Sequence, residues 1–468
     1  MPVASEMEAF FNPSSVAVAG ASSSAMKLGN VTLANLMRFG YRGKVFTIHP
    51  RAGEIMGVPA YPSVREVGER VDVAVGVLPR ESILDFVLDC AAAGVKNVIV
   101  CAAGYSDAGA EGAELQRRLE EAVRSRGMRM MGPNSVGTIS TRSGFVTSLM
   151  SLDPIEPGPI SIVAQTGLFA GGFALWISST QLFGLSKVAC LGNKADVDEV
   201  DILEYLEDDA HSGVIAIYSE GIRRGREFWE LASRVSRGKP MVMLKGGSTE
   251  LGMSMAASHT GSMAGEDAVY KGALAQAGVV VVDGIDALFD SAKALAYCPL
   301  PAGPNLGVVS ITGAGTVLVA DACHRRGLPL PPPAEKTVRR ASEGLPEWAQ
   351  LGNPMDIWTA TLQGSVEDAY RVILGAFAEQ EDMHTILVVY TLVPESEFDG
   401  AEMLAEMRES HPGKPVLACF LGASEVDRKR WFRSMEEKRI PVYDSIERAV
   451  GAAWALARYA DWLKRSGG

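Results

Sequence analysis

Residues 14–22 read Ser14-Ser15-Val16-Ala17-Val18-Ala19-Gly20-Ala21-Ser22, and this stretch sets the fold class. The run Val16–Gly20 has no alternating polar face, so as a strand it must be covered on both sides, as in a parallel sheet flanked by helices. The glycine that closes it gives a turn, and the amphipathic segment Leu28–Phe39 then reads as a helix. The same unit recurs downstream. Lys44–His49, Val71–Leu78 and Val95–Cys101 read as strands. Ser82–Ala93 reads as a helix stopped by Gly94, and Ala110–Arg126 as one ending at Gly127. Strand–helix alternation requires right-handed crossovers and therefore a doubly wound sheet.

The pattern breaks at Gly132-Pro133-Asn134 and at Asp153–Pro159, then restarts with strands expected at Ile160–Ala164, Lys187–Leu191, Val214–Tyr218, Pro240–Lys245 and Val279–Val282. Pro299–Pro304 marks a third boundary, followed by Leu306–Thr312, Thr385–Tyr390, Pro415–Phe420 and Ile440–Tyr443. The expectation is three α/β domains in series: a Rossmann-like domain over 1–135 and two flavodoxin-like doubly wound domains over 148–298 and 304–465. The proline cluster Pro329–Pro333 reads as a rigid loop.

The chain has 468 residues and a formal net charge of −12, so it repels nucleic acid and anionic membranes, and neither is expected as a main partner. Its six cysteines form no CxxC pair or zinc-type spacing, no metal site is expected, and free thiols fit a reducing compartment. Met1–Phe11 lacks the basic start and apolar core of a signal peptide, and no apolar stretch reaches the ~20 residues of a membrane-spanning helix. The reading is a cytoplasmic protein.

Three constellations carry chemistry. In the first domain, Gly20-Ala21-Ser22 leads to Lys27-Leu28-Gly29. A glycine-bearing turn before a helix N-terminus presents backbone N–H groups to a phosphate. The G-x-G-x-x-G spacing of dinucleotide sites is missing. The second strand ends in His49-Pro50-Arg51, where an NAD site places an acid for the ribose hydroxyls. With Pro50 and Arg51 as candidate cofactor-binding residues there, the arginine suits a phosphorylated ribose, which favours coenzyme A with its 3′-phosphate and leaves NADP open. The same glycines also fit ordinary turns. In the second domain, Gln165-Thr166-Gly167 sits between strand Ile160–Ala164 and a helix expected from Leu168, a second turn able to hold phosphate. The third constellation is Ala257-Ser258-His259-Thr260-Gly261-Ser262, read as a polar loop that leaves the imidazole reachable. Neutral imidazole is a competent nucleophile toward an acyl phosphate and needs a carboxylate partner. Glu220, at the end of Val214–Tyr218, is the candidate. A loop histidine by itself equally fits a hydrogen-bonding role.

Several segments together carry a resemblance: Phe11–Ser22; Gly132-Pro133-Asn134; Leu191-Gly192-Asn193-Lys194-Ala195-Asp196-Val197-Asp198; Ser258-His259-Thr260-Gly261-Ser262-Met263-Ala264-Gly265; and Gly352-Asn353-Pro354-Met355-Asp356. With these the chain resembles, over nearly its whole length, the α subunit of ADP-forming acetyl/acyl-CoA synthetases of the succinyl-CoA synthetase superfamily. The resemblance implies that His259 becomes phosphorylated, that Glu220 steadies it, that Gln165, Thr166 and Gly167 bind phosphate, and that the first domain binds CoA. It implies interconversion of a small carboxylic acid, CoA and ATP with acyl-CoA, ADP and phosphate through an acyl phosphate. ATP/ADP and Mg²⁺ would lie on an ATP-grasp β subunit in a hetero-oligomer, since no P-loop sequence occurs here. A regulatory CoA-binding protein of the same fold is the alternative. Three departures are visible. Ala164-Gln165-Thr166-Gly167 stands for the usual Ser-Gln-Ser-Gly, Thr312-Gly313-Ala314-Gly315-Thr316 for Asn-Ala-Gly-Gly-Pro-Gly, and Ser135 where cysteine is frequent. They leave the acyl substrate open.

Overall fold

The computed structural model describes residues 6–22, 27–51, 53–181, 183–260, 267–362, 366–391, 400–422 and 424–467, with backbone alone for 180–181, 256–260 and 362. It divides into two compact units, Met1–Val281 and Val282–Gly468.

The first unit holds two sheets. Strands β1 (Ser15–Ala19), β2 (Lys44–Ile48), β3 (Glu54–Ile55), β4 (Val58–Tyr61), β5 (Val73–Gly76), β6 (Asn97–Val100) and β7 (Arg129–Met131) form the order β3-β4-β2-β1-β5-β6-β7. All pairs are parallel except the short β3–β4 hairpin. Every residue of β1, β5 and β6 is buried, as their unbroken apolar runs demand. The second sheet comprises β8 (Thr138–Ser140), β9 (Phe145–Val146), β10 (Pro157–Ala164), β11 (Leu185–Cys190), β12 (Val214–Ser219), β13 (Met241–Lys245) and β14 (Val279–Val282), in the order β14-β13-β12-β10-β11-β8-β9. The strands expected from sequence are present within one to three residues at their ends. The strands not foreseen, β3, β4, β7, β8 and β9, are two to four residues long, too short to show a period.

The two sheets share one core. Val16, Val18, Val73 and Val75 of the first join Ile202, Leu203 and Tyr205 of helix Glu199–Asp208, which also packs on Ile215 and Ile217 of the second. The Phe11 and Tyr205 rings stack at 5.1 Å. The segment between the sheets locks the first helix to the second sheet. Asn35 donates to the carbonyls of Ser148 (3.0 Å) and Met150 (2.8 Å), and Ser148 Oγ donates to Ala170 O (2.6 Å).

The second unit is a five-stranded sheet built from β15 (Leu306–Ser310), β16 (Met355–Asp356), β17 (Thr385–Thr391), β18 (Val416–Leu421) and β19 (Val442–Tyr443), in the order β16-β15-β17-β18-β19 and all parallel. Asn353 acts as a piece of edge strand. Its Nδ2 donates to Leu306 O and Pro331 O, and its Oδ1 accepts from Val308 N. Helix Ile285–Tyr297, read from sequence with the second domain, packs here against helix Ile446–Arg465. Its Lys293, 1% exposed, donates to Glu436 Oε1 and Val442 O, both at 2.8 Å, and lies over the Tyr443 ring. Asp290 of the same helix is held by Arg448 through two bonds of 2.7 Å.

Within the first unit, two turns interlock. Ala195 N donates to Gly132 O (3.1 Å) and Asn193 N to Pro133 O (2.9 Å). Gly192 has φ +60°, and a Cβ there would stand 2.2 Å from Pro133 O. Gly192→Ala should therefore lower stability by about 2 kcal/mol or more, seen as a lower urea midpoint. Gly238→Ala, where a Cβ meets nothing within 4 Å, should leave the midpoint unchanged.

Candidate functional site

The first cradle is built by close approach. Gly20 has φ +96°, and a Cβ on it would lie 1.9 Å from Val77 O. A Cβ on Gly29 would lie 2.4 Å from Ala21 N. Only glycines let helix Leu28–Arg38 start this close to the end of β1. Asn30, not singled out from sequence, ties the turn to the helix. Its Oδ1 accepts from Ser22 N (2.9 Å) and its Nδ2 donates to Ser22 O (3.0 Å). Lys27 is exposed at the helix start, and Pro50 and Arg51 are exposed past the end of β2. The Arg51 backbone N–H donates to His49 Nδ1 (3.2 Å).

The second constellation centres on Gln165, at the carboxyl end of β10 and 4% exposed. Its backbone N–H donates to Tyr218 O (3.0 Å). Its Oε1 accepts from Glu220 N (2.8 Å) and from Lys194 Nζ (3.0 Å). Thr166 Oγ1 accepts from Leu168 N (3.4 Å), so this hydroxyl caps the turn. Gly167 is required by packing, since a Cβ would stand 2.0 Å from Val136 Cγ2. The helix that follows is wound wide at Phe169–Phe173 and Ile177–Gln181, where Phe173 N reaches back five residues to Leu168 O. Such π-type turns are frequent at functional sites.

Glu220 follows β12, half-buried. Tyr218 Oη donates to its Oε1 (3.4 Å), and burial together with that carboxylate pushes the Tyr218 phenol up to about 12. Gly246, past the end of neighbouring β13, lies against the Glu220 side chain. Lys245 stands over the Tyr270 ring, and burial lowers its ammonium from the ordinary lysine range.

The structure corrects the loop expected around His259. Residues Glu250–Thr260 form a helix, capped where Thr249 Oγ1 accepts from Gly252 N (3.0 Å). The methionine and alanine residues of 253–257 favour that helix over a loop. His259 falls on its last turn, and its imidazole lies outside the described side chains, as do residues 261–266. The helix runs beside the turn Ser106–Ala108 at the carboxyl end of the first sheet. That turn is itself tied to the second sheet. Asp107 accepts from Gly104 N and Tyr105 N (both 2.9 Å) and from Asn193 Nδ2 (2.8 Å). Partial burial pushes the Asp107 carboxyl up, but these donors outweigh it and hold it below the usual carboxylate range.

The structure thus joins Gln165 directly to Glu220 and brings the His259 helix against the first sheet's turn. Sequence reasoning missed Lys194, Glu199, Ser219, Asn193 and Asp107, most of whose partners are remote in the chain. The only signal was the Gly-Asn-Lys-Ala-Asp segment that contains Asn193 and Lys194. Cys101 and Cys190 stand near these turns, and burial pushes both thiols to about 12, so neither is a thiolate at neutral pH. Ser135, in the position where cysteine is frequent, is buried and donates to Cys190 O (2.5 Å). Among the described residues no cluster of His, Cys, Asp and Glu is placed to hold a metal ion, and no helix is long and apolar enough to cross a membrane.

Comparison with known proteins places these constellations in a family context. Residues 14–141 match the family described as CoA binding domain, and residues 157–295 match the succinyl-CoA ligase like flavodoxin domain. The chain is 35% identical to the α subunit of acetate–CoA ligase [ADP-forming] I of Pyrococcus furiosus, over 97% of this chain and 98% of that one. It is also 35% identical to acetate–CoA ligase [ADP-forming] II of Archaeoglobus fulgidus, over 97% of this chain but 67% of that longer protein. A dinucleotide-forming acetyl-coenzyme A synthetase of Candidatus Korarchaeum cryptofilum, solved with phosphate and ADP, superimposes with a TM-score of 0.90 at 34% identity, covering 99% of both chains.

The Asp107 pairing has a pH consequence. A carboxyl depressed on folding adds stability above its unfolded value, and that stability is lost as pH falls through the depressed folded value. Asn193→Ala removes one donor and should raise the Asp107 pKa toward the ordinary value of about 4. The Asp107 carboxyl resonance, followed by NMR against pH, should titrate at higher pH in the variant.

Proposed function

This chain belongs to the family of ADP-forming acetate–CoA ligases, as their α subunit, and from that premise we propose that it works by carrying a phosphoryl group on His259. It is an acid–thiol ligase of this family, and the ligase names of its relatives weigh against a purely regulatory CoA-binding role. The match of residues 14–141 to a CoA-binding family favours CoA over NADP in the first cradle. There Gly20, Ala21, Ser22 and Gly29 offer backbone amides to the diphosphate, with Lys27 beside them, while Arg51, next to Pro50, meets the 3′-phosphate.

In the acyl-CoA-consuming direction, a phosphate oxygen held at Gln165, Thr166 and Gly167 attacks the thioester carbonyl. The C–S bond breaks and CoA leaves as its thiol. An imidazole nitrogen of His259 then attacks the phosphorus of the acyl phosphate, the P–O bond to the acyl group breaks, and the carboxylate departs. Glu220 accepts a hydrogen bond from the other ring nitrogen, fixing the tautomer and stabilising the charged ring. The phosphoryl group passes to ADP on a partner subunit. The observation that carries this reading is the meeting of three elements. Glu220 is bonded to Gln165 through its backbone, the His259 helix follows the adjacent strand β13, and that helix lies beside the carboxyl end of the first sheet. The carboxyl ends of parallel strands are where α/β proteins bind ligands.

The nucleotide half is proposed to lie on a separate ATP-grasp β subunit with its Mg²⁺, the two forming a hetero-oligomer. The chain spans nearly all of an α subunit yet about two thirds of a single-chain relative, which supports this division.

Incubation with acetyl phosphate should give an acid-labile, base-stable phosphoramidate visible by ³¹P NMR. His259→Ala should abolish it while CoA binding stays intact, and phosphorylation elsewhere on that variant would sink the assignment. Glu220→Gln should slow its formation by about 10²-fold or more. Arg51→Ala should weaken CoA more than dephospho-CoA in calorimetric titration, whereas an equal loss would remove Arg51 from the 3′-phosphate.

A further inference from the structure

Lys194 is the residue of the Gly-Asn-Lys-Ala-Asp segment that the chemistry above leaves unused. It is 3% exposed and takes φ +54°, a left-handed conformation uncommon for a lysine. Its ammonium is spent on three short bonds, to Gln165 Oε1 (3.0 Å), Glu199 Oε1 (2.8 Å) and Gly221 O (2.5 Å). Ser219 Oγ donates to the same Glu199 oxygen (2.5 Å), and Glu199 Oε2 is buried with no partner. Arg223 adds bonds to the carbonyls of Lys194 (2.7 Å) and Asn193 (3.2 Å), which fix the strained turn from outside.

A buried ammonium–carboxylate pair with one unsatisfied oxygen is a poor source of stability, because desolvation offsets the attraction. Strain and buried charge in one turn point instead to function. The pair also cancels its own charge, so it does not act on a phosphate as a net cation. What remains is geometry. Lys194 bonds the amide oxygen of Gln165, the oxygen that also receives Glu220 N–H, and it bonds the carbonyl that follows Glu220. One ammonium therefore sets the Gln165 rotamer, which turns its amide NH₂ away from Lys194, and clamps the backbone on the far side of Glu220.

We propose that Lys194, neutralised by Glu199, is a positioning residue that holds Gln165 and Glu220 in register for phosphoryl transfer. The proposal rests on the phosphohistidine reading. Its prediction is specific to phosphate handling. Pre-set geometry lowers the cost of binding and orienting the anion, and CoA, bound at the other sheet, should not sense its loss.

The test removes the pair together, Lys194→Met with Glu199→Gln, so that no lone charge is left buried. Phosphoenzyme formation from acetyl-CoA and inorganic phosphate is followed with increasing phosphate. The expected result is a rise of about tenfold or more in the phosphate concentration giving half-maximal rate, with the CoA dissociation constant unchanged. In a Gln165→Met background the same pair of changes should add little, because residues acting through one contact are not additive. An unchanged phosphate half-saturation in a variant that binds CoA overturns the proposal and leaves the phosphohistidine reading standing. A full additional loss on top of Gln165→Met also overturns it, since Lys194 would then act elsewhere. If the pair variant fails to bind CoA, Lys194→Arg, which keeps the charge but moves its donors, is read by the same criterion. Absence of phosphoenzyme in the unaltered protein removes both readings at once.

Discussion

The contact between two glycine-bearing turns, Gly132–Asn134 and Leu191–Ala195, is the constraint on which the first unit depends. Each turn leaves a different sheet, and backbone groups of one satisfy backbone groups of the other. Hydrogen bonds of this kind fix distance and angle together, and buried donors cannot be left unmade. Gly192 must lack a Cβ for the approach to occur, and Asn134 and Lys194 both take left-handed backbone to complete it. The same turn directs Asn193 toward Asp107 of the first sheet and Lys194 toward Gln165 of the second. The relation between the first sheet's glycine turn and the Gln165 turn is thereby set by a few polar contacts laid over a shared apolar core.

An acidic chain that handles polyanions needs local compensation, and it comes mostly from the backbone. Gly20 and Gly29 open the first cradle by letting main chain approach main chain. Gln165 offers a neutral amide, oriented by a lysine whose charge is already matched by Glu199. The buried thiols of Cys101 and Cys190, pushed far above neutrality, take no part in such chemistry.

The second unit gathers a helix that precedes a proline-rich segment. Pro299–Pro304 interrupts regular structure, yet helix Ile285–Tyr297 before it belongs by packing with helix Ile446–Arg465. Leu288, Phe289 and Ala292 would suit any apolar surface. Lys293 is ion-paired with Glu436, and Asp290 with Arg448. The turn at Thr312 leads from β15 into helix Gly313–Arg326, with Ser310 Oγ donating to Thr312 O.

By itself, the sequence determined the class of fold, because buried parallel strands and amphipathic helices print their periods locally. It also determined the two glycine turns, since a missing Cβ is a property of one position. It misread the surroundings of His259, where capping by Thr249 and the helix-favouring run 253–257 outweigh the polar, glycine-bearing composition. Only the tertiary structure decided which residues serve Gln165 and Glu220. Lys194 and Glu199 lie five residues apart, Ser219 comes from the end of another strand and all three are remote from Gln165, and a buried polar group is defined by what surrounds it, which no local pattern in the chain records.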